Sequence, residues 1–222
     1  MRFSKTKAVV LSAAVTLLCL VALVVGTVAI FSDSADTNVH LQAGTLAATF
    51  ERTRLSGSVL NEDGTVGTMT PEETPIDLSE STDPVFAVAD FIPGMWREAE
   101  FRITNGGDIA FDCSLEFGSL TLQGASGSAQ GEASESLSEQ LIVTVYNGTG
   151  DDRAQLTTFR LSALDSQPEI ELGSLVAPAQ GASSEMYFTV RVEFDMGTDV
   201  DNSAQGGDLT FDLTLYAEQQ TA

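Results

Sequence analysis

The feature that most constrains the fold is a two-residue alternation of apolar and polar side chains that recurs along the chain. Phe101 and Ile103, for example, flank the polar Arg102. Successive side chains of a strand point to opposite faces, so this period places one face in a core and the other in water, as in antiparallel sheets. The alternation appears in six segments: residues 46–51, 98–104, 109–117, 141–145, 187–194 and 209–216.

The separation of these segments indicates the fold class. Glycine, proline, asparagine and aspartate lie between them, and no long stretch after residue 44 keeps a helical period. Six or more short strands with such punctuation are typical of two packed antiparallel sheets. We therefore predict an all-β fold, an antiparallel, jelly-roll-like β-sandwich over residues 44–222.

Two stretches of the sandwich lack the alternation. Residues 56–84 are polar, with Thr, Glu, Gly and three prolines, and residues 118–136 are rich in Gly, Ser and Ala, so we predict two long loop insertions. Residues 134–140 are expected to form one or two helical turns. The sequence Asn-Gly-Gly-Asp at 105–108 predicts a tight hairpin between the strands on either side.

The start of the chain has the pattern of an export signal. Three basic side chains among the first seven residues precede an apolar run at residues 8–25. This arrangement is typical of a secretory signal peptide or of a single uncleaved membrane anchor. A small residue at the cut favours cleavage between Ala29 and Ile30, so residues 1–29 are predicted to be a signal peptide. We expect contact with a membrane only through that segment.

Charge narrows the classes of partner. The chain carries 32 acidic residues against 10 basic ones, a net charge of −22. Arg2, Lys5 and Lys7 lie within the predicted signal, so a chain that begins at Ile30 keeps seven arginines, no lysine and a charge of about −25. No basic stripe is available to contact phosphates, which argues against nucleic acid. Covalent polymerisation through a lysine amine is excluded for the lysine-free chain.

Catalytic and metal-binding residue types are scarce. His40 is the single histidine, and Cys113 is the one cysteine after the predicted signal. Cys113 lies two residues from both Phe111 and Leu115, so its side chain is expected on the same, apolar face of the strand. We therefore predict a buried core residue rather than a metal or redox site. A zinc hydrolase needs three protein ligands and an open position, which these residues do not provide. We expect no enzyme activity and no cofactor.

One acidic cluster is a weak candidate for calcium. Asp195, Asp199 and Asp201 offer hard oxygen ligands at close spacing before the last strand. The spacing does not fit an EF-hand loop, because neither its central glycine nor its final glutamate is present. A solvated acidic loop is the simpler interpretation.

Several short motifs occur in a consistent order. Phe-Ser-Asp stands at residues 31–33 and Ala-Gly-Thr-Leu at 43–46, followed by Pro-Gly at 93–94, Asn-Gly-Gly at 105–107 and Asn-Ser-Ala-Gln-Gly at 202–206. In this order and spacing the chain, from residue 26 to about 218, resembles the TasA/camelysin family of secreted bacterial proteins. The signal of that family is cut by a dedicated signal peptidase of the SipW type.

The resemblance implies a fibre-forming function. Members of the family assemble into extracellular biofilm-matrix fibres by strand donation, in which the segment after the cleavage site adds to a sheet edge of the next subunit. Residues 30–43 are then the candidate donor, with Ile30, Phe31, Val39 and Leu41 as its large apolar side chains. The expected partners are further copies of the chain and a SipW-type signal peptidase. The alternative is that this segment pairs within its own sheet.

Two other functions stay open from the sequence. A monomeric cell-surface binding or adhesion sandwich would use the loops at 56–84 and 118–136. A camelysin-like surface metalloprotease is implied by the peptidase label of the family, although the sequence shows no zinc motif. Each hypothesis implies a secreted protein of the extracellular matrix or cell surface.

Overall fold

The structure is a computed structural model that describes residues 34–35, 47–78, 85–86, 91–178, 184–195 and 202–219. The predicted signal at residues 1–29 lies outside these ranges, and the compact body runs from Asp33 to Ala222. Within the described ranges, no helix is both long and apolar enough to cross a membrane.

Strands dominate the described residues, and every strand pairing is antiparallel. The elements are β1 (Ser34–Ala35), β2 (Ala48–Leu60), β3 (Val66–Thr68), β4 (Ile76–Asp77), β5 (Trp96–Asn105), β6 (Phe111–Leu122), α1 (Ala129–Gln140), β7 (Leu141–Asn147), β8 (Ala154–Arg160), β9 (Ile170–Leu175), β10 (Ser184–Phe194) and β11 (Leu209–Gln219).

These strands form two sheets. The small sheet has the order β1-β11-β6-β9, and the large sheet has the order β3-β2-β5-β10-β7-β8, with β4 also paired to β2. Consecutive strands often change sheet, and the first described strand pairs with the last, as expected for a jelly-roll-like sandwich. The predicted antiparallel all-β sandwich is confirmed, and each of the six predicted segments contains a strand.

The core lies between the two sheets. Phe101 and Phe188 are fully buried on neighbouring strands of the large sheet, and their stacked rings have centroids 4.7 Å apart. Phe117 of the small sheet meets Phe159 of the large sheet edge to face at 5.2 Å. Burial of these rings stabilises the core between the two layers.

The prediction of a loop at residues 56–84 is wrong in part. Strand β2 continues to Leu60 and forms a hairpin with β3, while β4 pairs with β2 near Glu51. Asn61 closes the hairpin by donating its backbone N–H to the Thr65 carbonyl at 2.9 Å. The tip of this hairpin lies at the margin of the sheet, where Val59 and Val66 are exposed. The positions of β2 just before the tip are buried but hold Ser56, Gly57 and Ser58, so no alternation of apolar and polar residues marks this part of the strand.

The prediction of a loop at residues 118–136 is also wrong in part. Strand β6 runs on to Leu122, and α1 begins at Ala129, giving three helical turns where one or two were expected. Ser128 caps the helix, because its Oγ accepts the Gly131 N–H at 3.1 Å. The buried face of α1 carries Ala133 and Ser134 rather than large apolar residues, so a helical period was hard to detect.

Residues 105–108 do not form the predicted hairpin, because β5 and β6 belong to different sheets. Asn105 is fully buried at this corner. Its Nδ2 donates to the carbonyls of Ile109 at 2.8 Å and Val176 at 3.2 Å, and its Oδ1 accepts the Gly107 N–H at 2.9 Å. The asparagine therefore satisfies the backbone of a crossover between layers.

Candidate functional site at the outer edge of β11

Strand β11 lies one position from the margin of the small sheet. Its apolar residues at 209, 211, 213 and 215 form an inner row that alternates with polar residues. Leu215 of this row is buried opposite Leu115 of β6. The outer neighbour of β11 is β1, which pairs Ser34 with Tyr216 and Ala35 with Leu215. Among the described residues, β1 covers only these two positions of the eleven in β11. Among the described residues, no strand pairs with the other nine positions on this side of β11, and main-chain groups at a sheet edge are groups to which a further strand can bind.

The predicted donor segment is placed only in part. Ser34 and Ala35 lie within it, and they pair inside their own molecule, as the alternative interpretation proposed. The apolar donor residues Ile30, Phe31, Val39 and Leu41, together with the cleavage residue Ala29, lie outside the described residues.

The inner row of β11 is incompletely covered. Leu209, Phe211 and Leu213 pack against the core but are only half-buried. Phe111 and Leu115, one strand further in, are fully buried. Among the described residues, the part of β6 that holds Phe111 and Leu115 pairs with β9 on one side and with β11 on the other, whereas positions 209–213 of β11 pair only with β6. A strand added along this edge would remove the exposed part of these three side chains from water.

An irregularity next to this edge lies in β6 and not in β11. Between the pairs Thr210–Thr121 and Asp212–Gly118, two residues of β6 stand opposite one residue of β11. Ser119, one of the two, has a φ of 53°, which is typical of a bulge that kinks its own strand. Strand β11 keeps a regular alternation, so its edge offers an uninterrupted register.

A cavity of about 690 Å³ opens beside the first residues of β11. Leu209 and Phe211 form one wall, and Phe91, Leu137 and Phe194 are among the apolar residues across from them. Three polar residues also line it: Arg97, Gln205 and Asp208. The volume is in the range of ligand-binding clefts, and the lining combines apolar side chains with polar groups.

The outer face of the small sheet is acidic. Asp112 of β6 stands directly opposite Glu218 of β11. Tyr216 donates its hydroxyl to Glu116, and this hydrogen bond raises the pKa of the tyrosine. The seven arginines of the body lie on strands of the large sheet or, for Arg153, immediately before β8. Like charges on neighbouring strands repel, so the face containing β11 carries an unneutralised negative field.

Of the other candidate residues, the structure describes Cys113 and Asp195. Cys113 is buried, as predicted, and burial raises the pKa of its thiol to about 12, with a smaller contribution from the Asp112 carboxylate. Asp195 binds Arg160, with Oδ2 at 2.8 Å from Nη2. Asp199, Asp201 and His40 lie outside the described residues. Within the described part of the chain, no group of three His, Cys, Asp or Glu side chains is placed to hold a metal ion.

The sequence predicts a donor segment whose apolar residues lie outside the described residues, and it did not single out the edge of β11. The half-buried row of Leu209, Phe211 and Leu213 carries the same alternation as a fully covered strand, so periodicity does not distinguish them. Sheet order decides which strand lies at an edge, and no local signal in the sequence reveals it. No protein-family model matches the chain, and a search of curated proteins also found no match.

Proposed function

We propose that the chain, cut between Ala29 and Ile30, is a secreted structural subunit of extracellular matrix fibres that assembles without covalent bonds by β-strand donation. The observation that carries this proposal is the edge of β11, where the described residues pair with only two positions and where Leu209, Phe211 and Leu213 are half-buried. The resemblance of the sequence motifs to the TasA/camelysin family supports it. A SipW-type signal peptidase is the partner that would release the donor.

Donation replaces the short pairing within one molecule by a long pairing between two. Ser34 and Ala35 of a neighbouring copy take the positions opposite Tyr216 and Leu215, and the flanking donor residues extend the strand along β11. Main-chain hydrogen bonds supply affinity, and the alternate side chains set the register. Because the donor of each copy binds the edge of the next, the contact does not close and a filament results.

Cleavage controls this assembly. The donor begins at Ile30, so an attached signal would hold its first residue at the membrane. The body carries no lysine, which is consistent with a fibre held by hydrogen bonds and apolar burial rather than by isopeptide links. The role proposed is structural, with no catalytic residue.

The test compares the chain that begins at Ile30 with a variant lacking residues 30–41. We expect filaments in negative-stain electron microscopy for the first and monomers in light scattering for the second. Circular dichroism of the deletion variant should keep the β-rich spectrum, because at most two described strand residues are removed. A control that replaces residues 30–41 by a glycine–serine segment of equal length separates chain length from sequence.

The deletion also distinguishes the remaining functions. Filaments of unchanged length and number from the deletion variant would overturn strand donation. A cleaved chain that stays monomeric at every concentration and pH tested would instead favour a monomeric cell-surface binding domain.

A further inference from the structure

We infer that the cavity beside the start of β11 binds a fatty acid, with the carboxylate on the guanidinium of Arg97 and the alkyl chain between the apolar walls. This inference goes beyond the proposed function, because it assigns a small-molecule ligand to the single subunit and does not depend on assembly. It rests on the position of Arg97, on the carboxylates around the arginines of the described residues and on the chemistry of the cavity walls.

Arg97 occupies a position of β5 that an apolar residue would normally take. Ala99 and Phe101, on the same strand, point to the core and are fully buried. Side chains two residues apart point to the same face of a strand, so Arg97 also points inward, at one end of the sandwich. It pairs with Gly57 of β2 on one side and with Val192 of β10 on the other. A charge on this face needs polar or charged partners, because burial without them is costly.

The residue opposite Arg97 leaves room for its guanidinium. A Cβ placed on the buried Gly57 would lie 2.8 Å from both Cδ and Nη1 of Arg97, and 2.6 Å from the Trp96 carbonyl oxygen. Nη1 of Arg97 donates to the carbonyl of Ser58 and lies 3.4 Å from the Trp96 carbonyl oxygen. Only Nη1 takes part in these contacts, so among the described residues the edge formed by Nε and Nη2 has no hydrogen-bond acceptor.

That edge is the part of an arginine that holds a carboxylate. Arg102, on the opposite face of the same strand, uses its Nε and Nη2 to donate to Oε2 of Glu51. The two N–H groups of this edge form a planar fork that matches the two oxygens of a carboxylate. Arg97 therefore presents the same binding group into the cavity that Arg102 uses for an acidic side chain.

Arg97 differs from the other arginines in its charge partners. Of the seven arginines after the predicted signal, six form an ion pair with a described carboxylate, and Arg97 forms none: the six are Arg52, Arg54, Arg102, Arg153, Arg160 and Arg191. Partial burial lowers the pKa of Arg97, and the charge of Glu72 opposes this shift with a smaller effect. Glu72 itself binds Arg52 at 3.4 Å. A bound anion would supply the missing counter-charge.

The walls of the cavity select the rest of the ligand. Phe194 and Leu141, paired across β10 and β7, line it from the large sheet, and Leu209 and Phe211 line it from the small sheet. Apolar walls on both sides favour an alkyl chain, which would be removed from water between them. Among the described lining residues, Arg97 carries the only positive charge. One guanidinium balances a monovalent carboxylate, whereas a phosphate group would leave a second negative charge without a partner.

The acidic residue of the lining limits the choice further. Asp208 and Gln205 are exposed, whereas Arg97 is half-buried. Water and salt screen the exposed carboxylate of Asp208 more strongly than the guanidinium, so one carboxylate can bind at Arg97. A second negative charge further along the ligand would meet Asp208 without compensation. The expected ligand is therefore a fatty acid with a single carboxylate and an uncharged chain.

Isothermal titration calorimetry with three probes tests this assignment. The chain that begins at Ile30 is titrated at about pH 8, where the carboxylates of the probes are ionised. We expect saturable binding of about one decanoate per chain. Butyrate keeps the carboxylate but loses most of the chain, and decan-1-ol keeps the chain but loses the charge. Each should bind at least about tenfold more weakly than decanoate.

A matched pair of variants separates the site from the net charge. Arg97→Gln and Arg102→Gln remove the same charge from the same strand, but residue 102 lies on the outer face with Glu51. The first should weaken decanoate binding by about tenfold or more, and the second by less than about twofold. Arg97→Lys keeps the charge without the planar fork, so its affinity should lie between those of the unmodified protein and Arg97→Gln. If Arg97→Gln fails to fold in circular dichroism, Arg97→Lys carries the comparison.

Three results would overturn the inference. These are an absence of saturable decanoate binding, an equal affinity for decan-1-ol, and an equal loss of decanoate affinity in Arg97→Gln and Arg102→Gln. Filament formation is scored separately by electron microscopy. A chain that binds decanoate through Arg97 but forms no filaments would remove the proposed function and support the fatty-acid site.

Discussion

Replacing Glu98 by alanine should destabilise the folded body by breaking a nearly buried charge cluster on the outer face of the large sheet. The Glu98 carboxylate lies 2.8 Å from Nη1 of Arg153 and 3.8 Å from Nη1 of Arg191. Its side chain is 8% exposed, compared with 18% and 25% for the two arginines. The contact with Arg191 is an ion pair too long for a hydrogen bond, since Oε2 of Glu98 has no hydrogen-bond partner.

The geometry sets the expected magnitude. Removing one partner of a buried ion pair costs about 3–5 kcal/mol, because the remaining charge stays desolvated. Both arginines keep other contacts: the Arg153 guanidinium lies 4.2 Å from the centre of the Tyr146 ring, and Arg191 binds Glu193 at 2.8 Å. We therefore expect Glu98→Ala to lower the free energy of unfolding by about 3 kcal/mol, the lower end of this range. For a chain of this size, that loss corresponds to a fall in Tm of about 6–12 °C.

Urea unfolding followed by tryptophan fluorescence measures the effect directly. Trp96 is the single tryptophan, and the Arg191 guanidinium lies 4.5 Å from its ring centre. Glu193→Ala is the matched control, because it removes a 42% exposed partner of the same arginine and should cost less than about 1 kcal/mol. Glu98→Gln keeps a hydrogen-bond acceptor for Arg153, so its loss of stability should lie between those of Glu98→Ala and Glu193→Ala. If Glu98→Ala and Glu193→Ala unfold at the same urea concentration, the reasoning about burial is wrong.

Three further results are expected. Because burial raises the Cys113 pKa from 9.0 to about 12, the contribution of this thiol to stability is complete below about pH 9 and is lost as the pH rises towards 12. The free energy of unfolding, measured by urea titration at about pH 8 and 10.5, should therefore fall less between these pH values in Cys113→Ala than in the unmodified protein. An equal fall in the two proteins would contradict this prediction. Filament yield, measured by sedimentation, should rise as the pH falls from 7 towards the sequence pI of about 4.1, because protonation relieves repulsion between acidic faces; a yield independent of pH would count against this. Phe101→Ala should lower the free energy of unfolding by about 3–5 kcal/mol and exceed the effect at the half-buried Phe50, since Phe101 is fully buried between Phe50 and Phe188.

The sequence predicted the fold class because strands such as β5, β6 and β10 bury the side chains of one face. Alternation around Phe101, Phe188 and Leu215 follows directly from burial of that face. The same logic explains what was missed. Strand β8 exposes Leu156 at the margin of the large sheet, and β9 carries Gly173 at a φ of 124° where its register with β6 shifts. Neither strand alternates cleanly, so neither was predicted.

The corner at Asn105 shows a second limit. A run of Asn and Gly serves a tight hairpin and a crossover equally well, since both need small side chains and backbone capping. Here the side chain of Asn105 binds Val176, which follows β9 in the other sheet. That partner is 71 residues away in sequence, so local chemistry could indicate a turn but not which sheet came next.

The candidate site depended on the same kind of long-range information. The donor segment stays a prediction, made because it follows a cleavage pattern and carries a few large apolar side chains, among them Val39 and Leu41. The edge of β11 could not be predicted, because among the described residues Leu209 and Phe211 lie beside it only through the pairing of β11 with β6 on one side and with two residues of β1 on the other. Their incomplete burial is a property of sheet order, which joins strands that are far apart in the sequence.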